Sequence, residues 1–179
     1  EQISEILALC KEKQIPWTVI GNGSNLLVGD GGIRGVVLEI GKQMSEISIE
    51  GTKITAGAGA MLSAIASKAA AQELTGLEFA SGIPGSLGGA VVMNAGAYGA
   101  ELSQVVAQVE GIHLADGRRV SYPADRLNFS YRHSALMDAD VVVTQATLAL
   151  APGDPEAIRA RMEACARARR EKQPLNLPS

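Results

Sequence analysis

Two glycine-rich stretches hold the residues best suited to chemistry. Of the 20 glycines in the chain, six lie in residues 21–35 and six in residues 82–99. The first stretch runs Gly21-Asn22-Gly23-Ser24-Asn25-Leu26-Leu27, directly after the apolar, β-branched run Trp17–Ile20. Successive backbone N–H groups in such a turn form a concave nest that suits phosphate. Ser24 and Asn25 add side-chain donors. Because no Lys or Arg stands between Gly21 and Val28, a diphosphate there would be held mainly by N–H groups. The second stretch begins Gly82-Ile83-Pro84-Gly85-Ser86-Leu87-Gly88-Gly89 and continues through Asn94 to Gly96-Ala97-Tyr98-Gly99. Its Pro and Gly suit a turn into a short helix over residues 88–93, and helix starts favour anions. Gly88 and Gly89 would leave no side chain between that helix and a flat ligand, with Asn94 and Tyr98 able to offer polar groups. Each stretch also has a packing reading. The first is a tight strand-to-loop turn, the second a close helix–sheet contact that needs small residues. Two such stretches in one chain favour a ligand.

Two nucleotide motifs are excluded. The dinucleotide fingerprint would place its last glycine at Leu26, and no Gly-Lys-Ser/Thr follows either stretch.

The elements that must carry these loops follow from periodicity. Ser4–Gln14 spaces Ile6, Leu7, Leu9 and Cys10 as a short amphipathic helix, with Ser4 as N-cap and Pro16 as its end. Trp17–Ile20 reads as a buried strand and Gly35–Ile40 as a second. Ile47–Ile49 and Lys53–Ala56 flank Gly51 as a hairpin. Met61–Leu74 is an Ala-rich helix stopped by Gly76. Val105–Leu114 and Arg118–Tyr122 flank Asp116-Gly117 as a second hairpin. Val141–Leu150 is a further strand, and Pro155–Lys172 a closing helix with Pro in its first turn. The tail Gln173–Ser179 reads as extended. Hairpins dominate over any βαβ alternation, so the class is α+β. A boundary near residue 57 divides an α-β-β-β first subdomain, residues 1–57, from a larger second, residues 58–179.

Composition narrows the function. The 179 residues are 46% hydrophobic and 20% charged, which places them with folded globular chains rather than disordered or membrane-spanning ones. Aromatic residues are only 3%, so the core must be aliphatic. A formal net charge of −3 argues against a general nucleic-acid binder. Cys10 and Cys165 form neither a metal nor a disulfide pattern, and the opening Glu1–Lys13 reads as helix rather than leader, so a reducing cytoplasm is expected. No carboxylate–His cluster has metal spacing. His113, in a hairpin strand, reads as structural, and His133 as exposed. The arginines 159, 161, 167, 169 and 170 read as a solvated helix face.

As a set, Gly21-Asn-Gly-Ser-Asn-Leu-Leu, Ile83-Pro-Gly-Ser-Leu-Gly-Gly-Ala, Met93-Asn-Ala-Gly-Ala-Tyr-Gly, Asn128-Phe-Ser-Tyr-Arg-His-Ser and Arg170-Glu-Lys-Gln-Pro-Leu-Asn-Leu-Pro-Ser resemble the UDP-N-acetylenolpyruvoylglucosamine reductase family. The resemblance keeps family order along nearly the whole chain. It implies a p-cresol methylhydroxylase-type FAD-binding fold in two subdomains, with non-covalent FAD between them, since neither glycine loop contains His or Cys. The cofactor residues it implies are Gly21, Asn22, Gly23, Ser24, Asn25 and Leu26 in the first loop. In the second they are Gly82, Pro84, Gly85, Ser86, Gly89, Asn94, Gly96, Ala97 and Tyr98, with Val142 from a later strand. The implied reaction passes hydride from NADPH through FAD to the enolpyruvyl ether of UDP-N-acetylglucosamine, a step of peptidoglycan synthesis. Arg132 would hold the substrate carboxylate and stabilise the charge that builds beside it, with Tyr131 positioning it; the guanidinium fork suits a carboxylate. The same resemblance places a first strand segment before this chain and a third, substrate-binding domain with the proton donor after Ser179. A fragment so bounded would bind FAD and turn over poorly. Two other readings stay open: another oxidoreductase of the same flavin fold, or a non-catalytic flavin- or nucleotide-binding module.

Overall fold

A computed structural model describes residues 2–173. The chain begins with helix α1 (Gln2–Glu12), then β1 (Trp17–Ile20), β2 (Val36–Glu39), β3 (Ile47–Glu50) and β4 (Lys53–Gly57). Helix α2 (Leu62–Ala71) and the short β5 (Leu74–Thr75) lead through a 3-10 turn, Glu78–Gly82, to α3 (Leu87–Val92). A small pair, β6 (Gly96–Ala97) and β7 (Ala100–Glu101), precedes β8 (Val106–His113) and β9 (Arg119–Pro123). The last elements are β10 (Val141–Ala149), β11 (Ala151–Pro152) and α4 (Pro155–Lys172). The stretch expected as an extended tail lies, apart from Gln173, outside the described residues.

Five strands form an antiparallel sheet in the order β3-β4-β10-β8-β9. The hairpin β3–β4 therefore belongs with strands from the far end of the chain. Gly57 pairs with Gln145 and Ala56 with Ala146, so a strand of residues 1–57 is joined in one sheet to a strand of residues 58–179. β1 and β2 stand apart as a parallel pair. Parallel pairing cannot be closed by a tight turn, so the chain must cross over between Ile20 and Val36. That crossover is the first glycine loop.

The core is aliphatic. Ile54 of β4, Leu62 and Ile65 of α2, Leu87 of α3, Val109 of β8 and Leu148 of β10 are all completely buried in one cluster, to which Phe79 adds an aromatic ring. On α2 the buried residues are Leu62, Ile65, Ala66 and Ala69, the single apolar stripe expected of a helix lying on a sheet.

Several details depart from the sequence reading. Helix α1 starts at Gln2, so Ser4 lies inside it rather than capping it. Strand β1 is not buried: Trp17 is exposed and Thr18–Ile20 are half-buried, because β2 is its only sheet partner among the described residues. Helix α2 stops at Ala71, before Leu74, where Glu73 takes a left-handed φ of 57° and the chain turns into β5. The arginines of α4 are not all solvated. Arg161 donates to Glu78 Oε1 from Nε at 3.1 Å and Nη2 at 2.9 Å, and to Thr75 Oγ1 at 2.8 Å. Arg169 Nη1 donates to the carbonyl of Gly82. These bonds clamp α4 onto the turn that leads into the second glycine loop.

Candidate functional site

The two glycine loops, far apart in sequence, meet. The Asn22 side chain donates from Nδ2 to the Pro84 carbonyl at 2.7 Å. Gly21 lies so close to Ser86 that a Cβ there would collide with its hydroxyl, and a Cβ on Gly85 would stand 3.7 Å from Ser24 Oγ. The second loop is stitched to the fold beneath it. Leu62 N–H donates to the Gly85 carbonyl at 3.0 Å, so a tertiary contact caps α2 where Met61 supplies no side-chain cap. Leu87 N–H and Gly88 N–H donate to the carbonyls of Ala60 and Ala58, both at 2.8 Å. The first N–H groups of α3 are thus used inside the protein, and the helix start is less open to an anion than its sequence suggested.

The two adjacent glycines of α3 do different things. A Cβ on Gly88 would lie 2.8 Å from Ala58 Cβ, so this glycine permits close packing. A Cβ on Gly89 would meet nothing nearer than Ser86 Oγ at 4.0 Å, and Gly89 is exposed on the floor of a cleft.

That cleft has a volume of about 620 Å³. Gly21, Asn22, Gly23, Ser24, Asn25 and Leu26 line one side; Pro84, Gly85, Ser86, Gly89 and Val142 line another; Arg132 stands at its edge. Among the described residues, the backbone N–H groups of residues 21–25, Ser86 and Gly89 have no backbone acceptor. The lining is mostly apolar elsewhere, with Trp17, Ile40, Ala58, Met93, Leu136 and Val143. The sequence reading missed these. Only alternation along β10 hinted at Val143, and nothing in the local pattern linked residues 17, 40 and 136 to one wall.

Other implied residues lie off the cleft wall. Gly82 packs under Arg169. Gly96 and Ala97 form the hairpin with β7, and Tyr98, at its turn, is exposed. Asn94 is 1% exposed, and its amide is engaged inside the protein. It donates from Nδ2 to the Ser130 carbonyl and accepts from Ser103 N–H, each at 2.9 Å. Tyr131 and Arg132 occupy the tip of a tight hairpin in which Ser130 and His133 exchange backbone bonds of 3.0 and 3.1 Å. Tyr131 is 85% exposed, and the Arg132 guanidinium carbon lies 5.7 Å from its ring centre, a cation–π distance.

Charges around the site are few. Glu101 is held below its usual range mainly by hydrogen bonding from Ser103 and Asn94, with a smaller contribution from the Arg132 charge. His133 Nε2 lies 3.5 Å from Asp138 Oδ2, and His133 is partly exposed. His113 Nδ1 lies 3.0 Å from Asp116 Oδ1 and braces the β8–β9 turn. Among the described residues, no group of three His, Cys, Asp or Glu is arranged to hold a metal ion. A second depression of about 560 Å³, floored by polar sheet residues such as Thr55, Glu110 and Gln145, touches neither glycine loop.

A crossover loop of unpaired N–H groups, a second loop tied against it and an open glycine surface form a cradle for a phosphate-linked, flat cofactor. Residues 1–122 match the family described as FAD binding domain, and the chain belongs to that family. FAD is the cofactor this membership assigns. Among curated relatives, the UDP-N-acetylenolpyruvoylglucosamine reductase of Clostridium novyi is 48% identical over 100% of this chain and 58% of its own length. That of Enterococcus faecalis is 47% identical over 100% of this chain and 59% of its own. The chain thus spans under two-thirds of these relatives. Among solved structures, the UDP-N-acetylenolpyruvylglucosamine reductase of Thermus caldophilus superposes with a TM-score of 0.80 at 36% identity, covering 92% of this chain and 60% of that one. Cholesterol oxidase from B. sterolicum, at 17% identity and a TM-score of 0.61 over 84% of this chain and 32% of that one, shares the fold alone. The architecture is the p-cresol methylhydroxylase-type FAD-binding fold, of α+β class.

Proposed function

We propose that the chain is the FAD-holding part of an NADPH-dependent UDP-N-acetylenolpyruvoylglucosamine reductase. The observation that carries this reading is the placement of Arg132 on the cleft that both glycine loops line. The relatives, similar over the whole chain, support the substrate class. Residues 21–25 with Ser86 and Gly89 would hold the diphosphate and one face of the ring system through N–H groups and open glycine surface. Among the described residues, no His or Cys lines the cleft, which supports non-covalent attachment.

FAD, when bound, supplies hydride transfer between nicotinamide and the enolpyruvyl double bond. Overall, NADPH loses a hydride and becomes NADP⁺, while the C=C bond gains that hydride at one carbon and a proton at the other, giving a lactyl ether. Negative charge builds beside the substrate carboxylate during this reduction. Arg132 binds the carboxylate through its fork and stabilises that charge; fixed donors of this kind are worth roughly 10²–10³ in rate. Tyr131 stacks against the guanidinium and restricts its direction. The reading leaves the proton to a donor outside this chain. A cytoplasmic location goes with NADPH and a nucleotide-sugar substrate, and none of the described helices is long and apolar enough to cross a membrane.

The test is spectroscopic. Purified protein should be yellow, or become so on addition of FAD, and release intact flavin on denaturation. Protein that stays colourless with excess FAD overturns the cofactor reading. NADPH should then bleach the colour in the intact reductase, and the enolpyruvyl substrate should restore it. Failure of that restoration overturns the substrate reading.

A further inference from the structure

Arg132 and Tyr131 are exposed at the tip of a two-residue turn, so burial does not hold them. Arg132 also adopts a left-handed φ of 56°, a conformation that costs a non-glycine residue about 1 kcal/mol or more. Something beneath must keep the turn in that shape.

We propose that Asn94 and Ser134 are positioning residues that anchor this turn to the end of α3 and so set where Arg132 stands relative to the cofactor loops. The inference rests on the reductase reading and extends it to residues that touch neither cofactor nor substrate. Both side chains are buried, Asn94 at 1% exposure and Ser134 at 0%. Asn94 donates to the Ser130 carbonyl, at the base of the turn, while Ser103 N–H fixes its other amide atom. A backbone N–H can only donate and a carbonyl only accept, so the amide has one orientation that satisfies both. On the other side of the turn, Ser134 Oγ donates to the Val92 carbonyl at 2.7 Å. The next residue, Ala135, donates its N–H to the Leu127 carbonyl at 2.7 Å.

The bonds of Asn94 and Ser134 converge on the C-terminal end of α3. Its opposite end, Ser86–Gly89, belongs to the cleft, and Leu87 and Gly88 are bonded to Ala60 and Ala58. A helix of six residues spans about 9 Å. It is pinned at both ends and acts as a rigid spacer between cofactor cradle and guanidinium. Asn94 itself has a φ of 43°, a region that Asn and Asp tolerate better than other side chains. Asn94→Gly therefore keeps the left-handed backbone and removes both the donor to the Ser130 carbonyl and the acceptor for Ser103 N–H. Ser134→Ala removes the opposite anchor.

Two measurements test the proposal. In this chain with FAD, amide exchange at His133, whose N–H closes the turn, should speed up about tenfold or more in each variant. Exchange in β8 and β10 should stay unchanged. In the intact reductase, FAD affinity and flavin bleaching by NADPH should stay within about twofold of wild type, while restoration by substrate slows about 10- to 100-fold, the scale set by an ångström-sized displacement. Equal slowing of both half-reactions, or unchanged exchange at His133, overturns the proposal. If Asn94→Gly does not fold, Ser134→Ala decides by the same criteria. A wild-type enzyme that substrate fails to reoxidise overturns the reductase reading instead, and the exchange measurement still judges the anchor.

Discussion

Gly89→Ala separates a glycine kept for a ligand from one kept for packing. In the protein without cofactor, the new Cβ meets only Ser86 Oγ, at 4.0 Å, which is ordinary contact. Gly89 lies inside α3, so the substitution gains up to about 0.8–1.0 kcal/mol of helix propensity. For a chain of this size each kcal/mol moves the melting midpoint by about 2–4 °C. The cofactor-free variant should therefore melt at the wild-type temperature or slightly above. The same Cβ points into the cleft where a flat ring would lie. Forcing a methyl group into a filled contact costs about 1–3 kcal/mol, which weakens FAD binding about 5- to 150-fold. Gly88→Ala is the control. Its Cβ falls 2.8 Å from Ala58 Cβ and 3.3 Å from the Ala58 carbonyl oxygen, so it should lower stability whether or not FAD is present. Thermal melts and a flavin fluorescence titration read both effects. If Gly89→Ala binds FAD as tightly as wild type, or loses stability as Gly88→Ala does, the placement of the cofactor against α3 is wrong.

Other expectations follow from particular contacts. The Glu78 carboxylate is raised by burial, but hydrogen bonds from Thr75, its own backbone, Gly76 and Arg161 together hold it below its ordinary 4.5. A carboxylate lowered in the folded state stabilises the fold above pH 4.5, and that contribution disappears as pH falls through the lowered value. Because Arg161 is about half exposed (54%) and Glu78 is not (10%), a double-mutant cycle with Glu78→Gln and Arg161→Ala should give about 1–2 kcal/mol of coupling at neutral pH, between exposed and buried pairs. Urea melts showing no coupling at neutral pH would refute the clamp. Arg132→Gly relieves the left-handed φ, so stability should hold or rise by up to about 1 kcal/mol, while substrate-dependent turnover of the intact reductase falls about 10²–10³-fold. Asn22→Ala cuts the tie to Pro84 and should weaken FAD by up to about tenfold in the same titration. Burial, aided by the Glu78 charge, pushes the Cys165 thiol up, so at neutral pH it should alkylate more slowly than a free thiol, as followed by mass spectrometry.

Local pattern was enough for most elements. The hairpin around Gly51, the stripe on α2 and the strands either side of Asp116-Gly117 all stand close to where residue spacing puts them. The helix ends were less legible, because tertiary contacts set them. Leu62 N–H is capped by Gly85, from a loop the helix cannot anticipate. Strand β1 misled for a related reason: an apolar, β-branched run predicts burial, but burial also requires neighbours on both sides.

The site divides in the same way. Residue type alone indicated that the backbone comes close to something, a ligand or a packed neighbour, and it determined that the core would be aliphatic. Only the tertiary structure decided which of the two adjacent glycines is packed and which is exposed. Gly88 and Gly89 are identical in sequence terms, yet one abuts Ala58 and the other opens on the cleft, because neighbouring helix positions point about 100° apart. It also decided that the Asn94 amide bonds to Ser130 and Ser103 rather than lining the cleft. Hydrogen-bond partners such as Ser130 and Pro84 come from distant parts of the chain, and only the folded geometry brings them within 3 Å of Asn94 and Asn22.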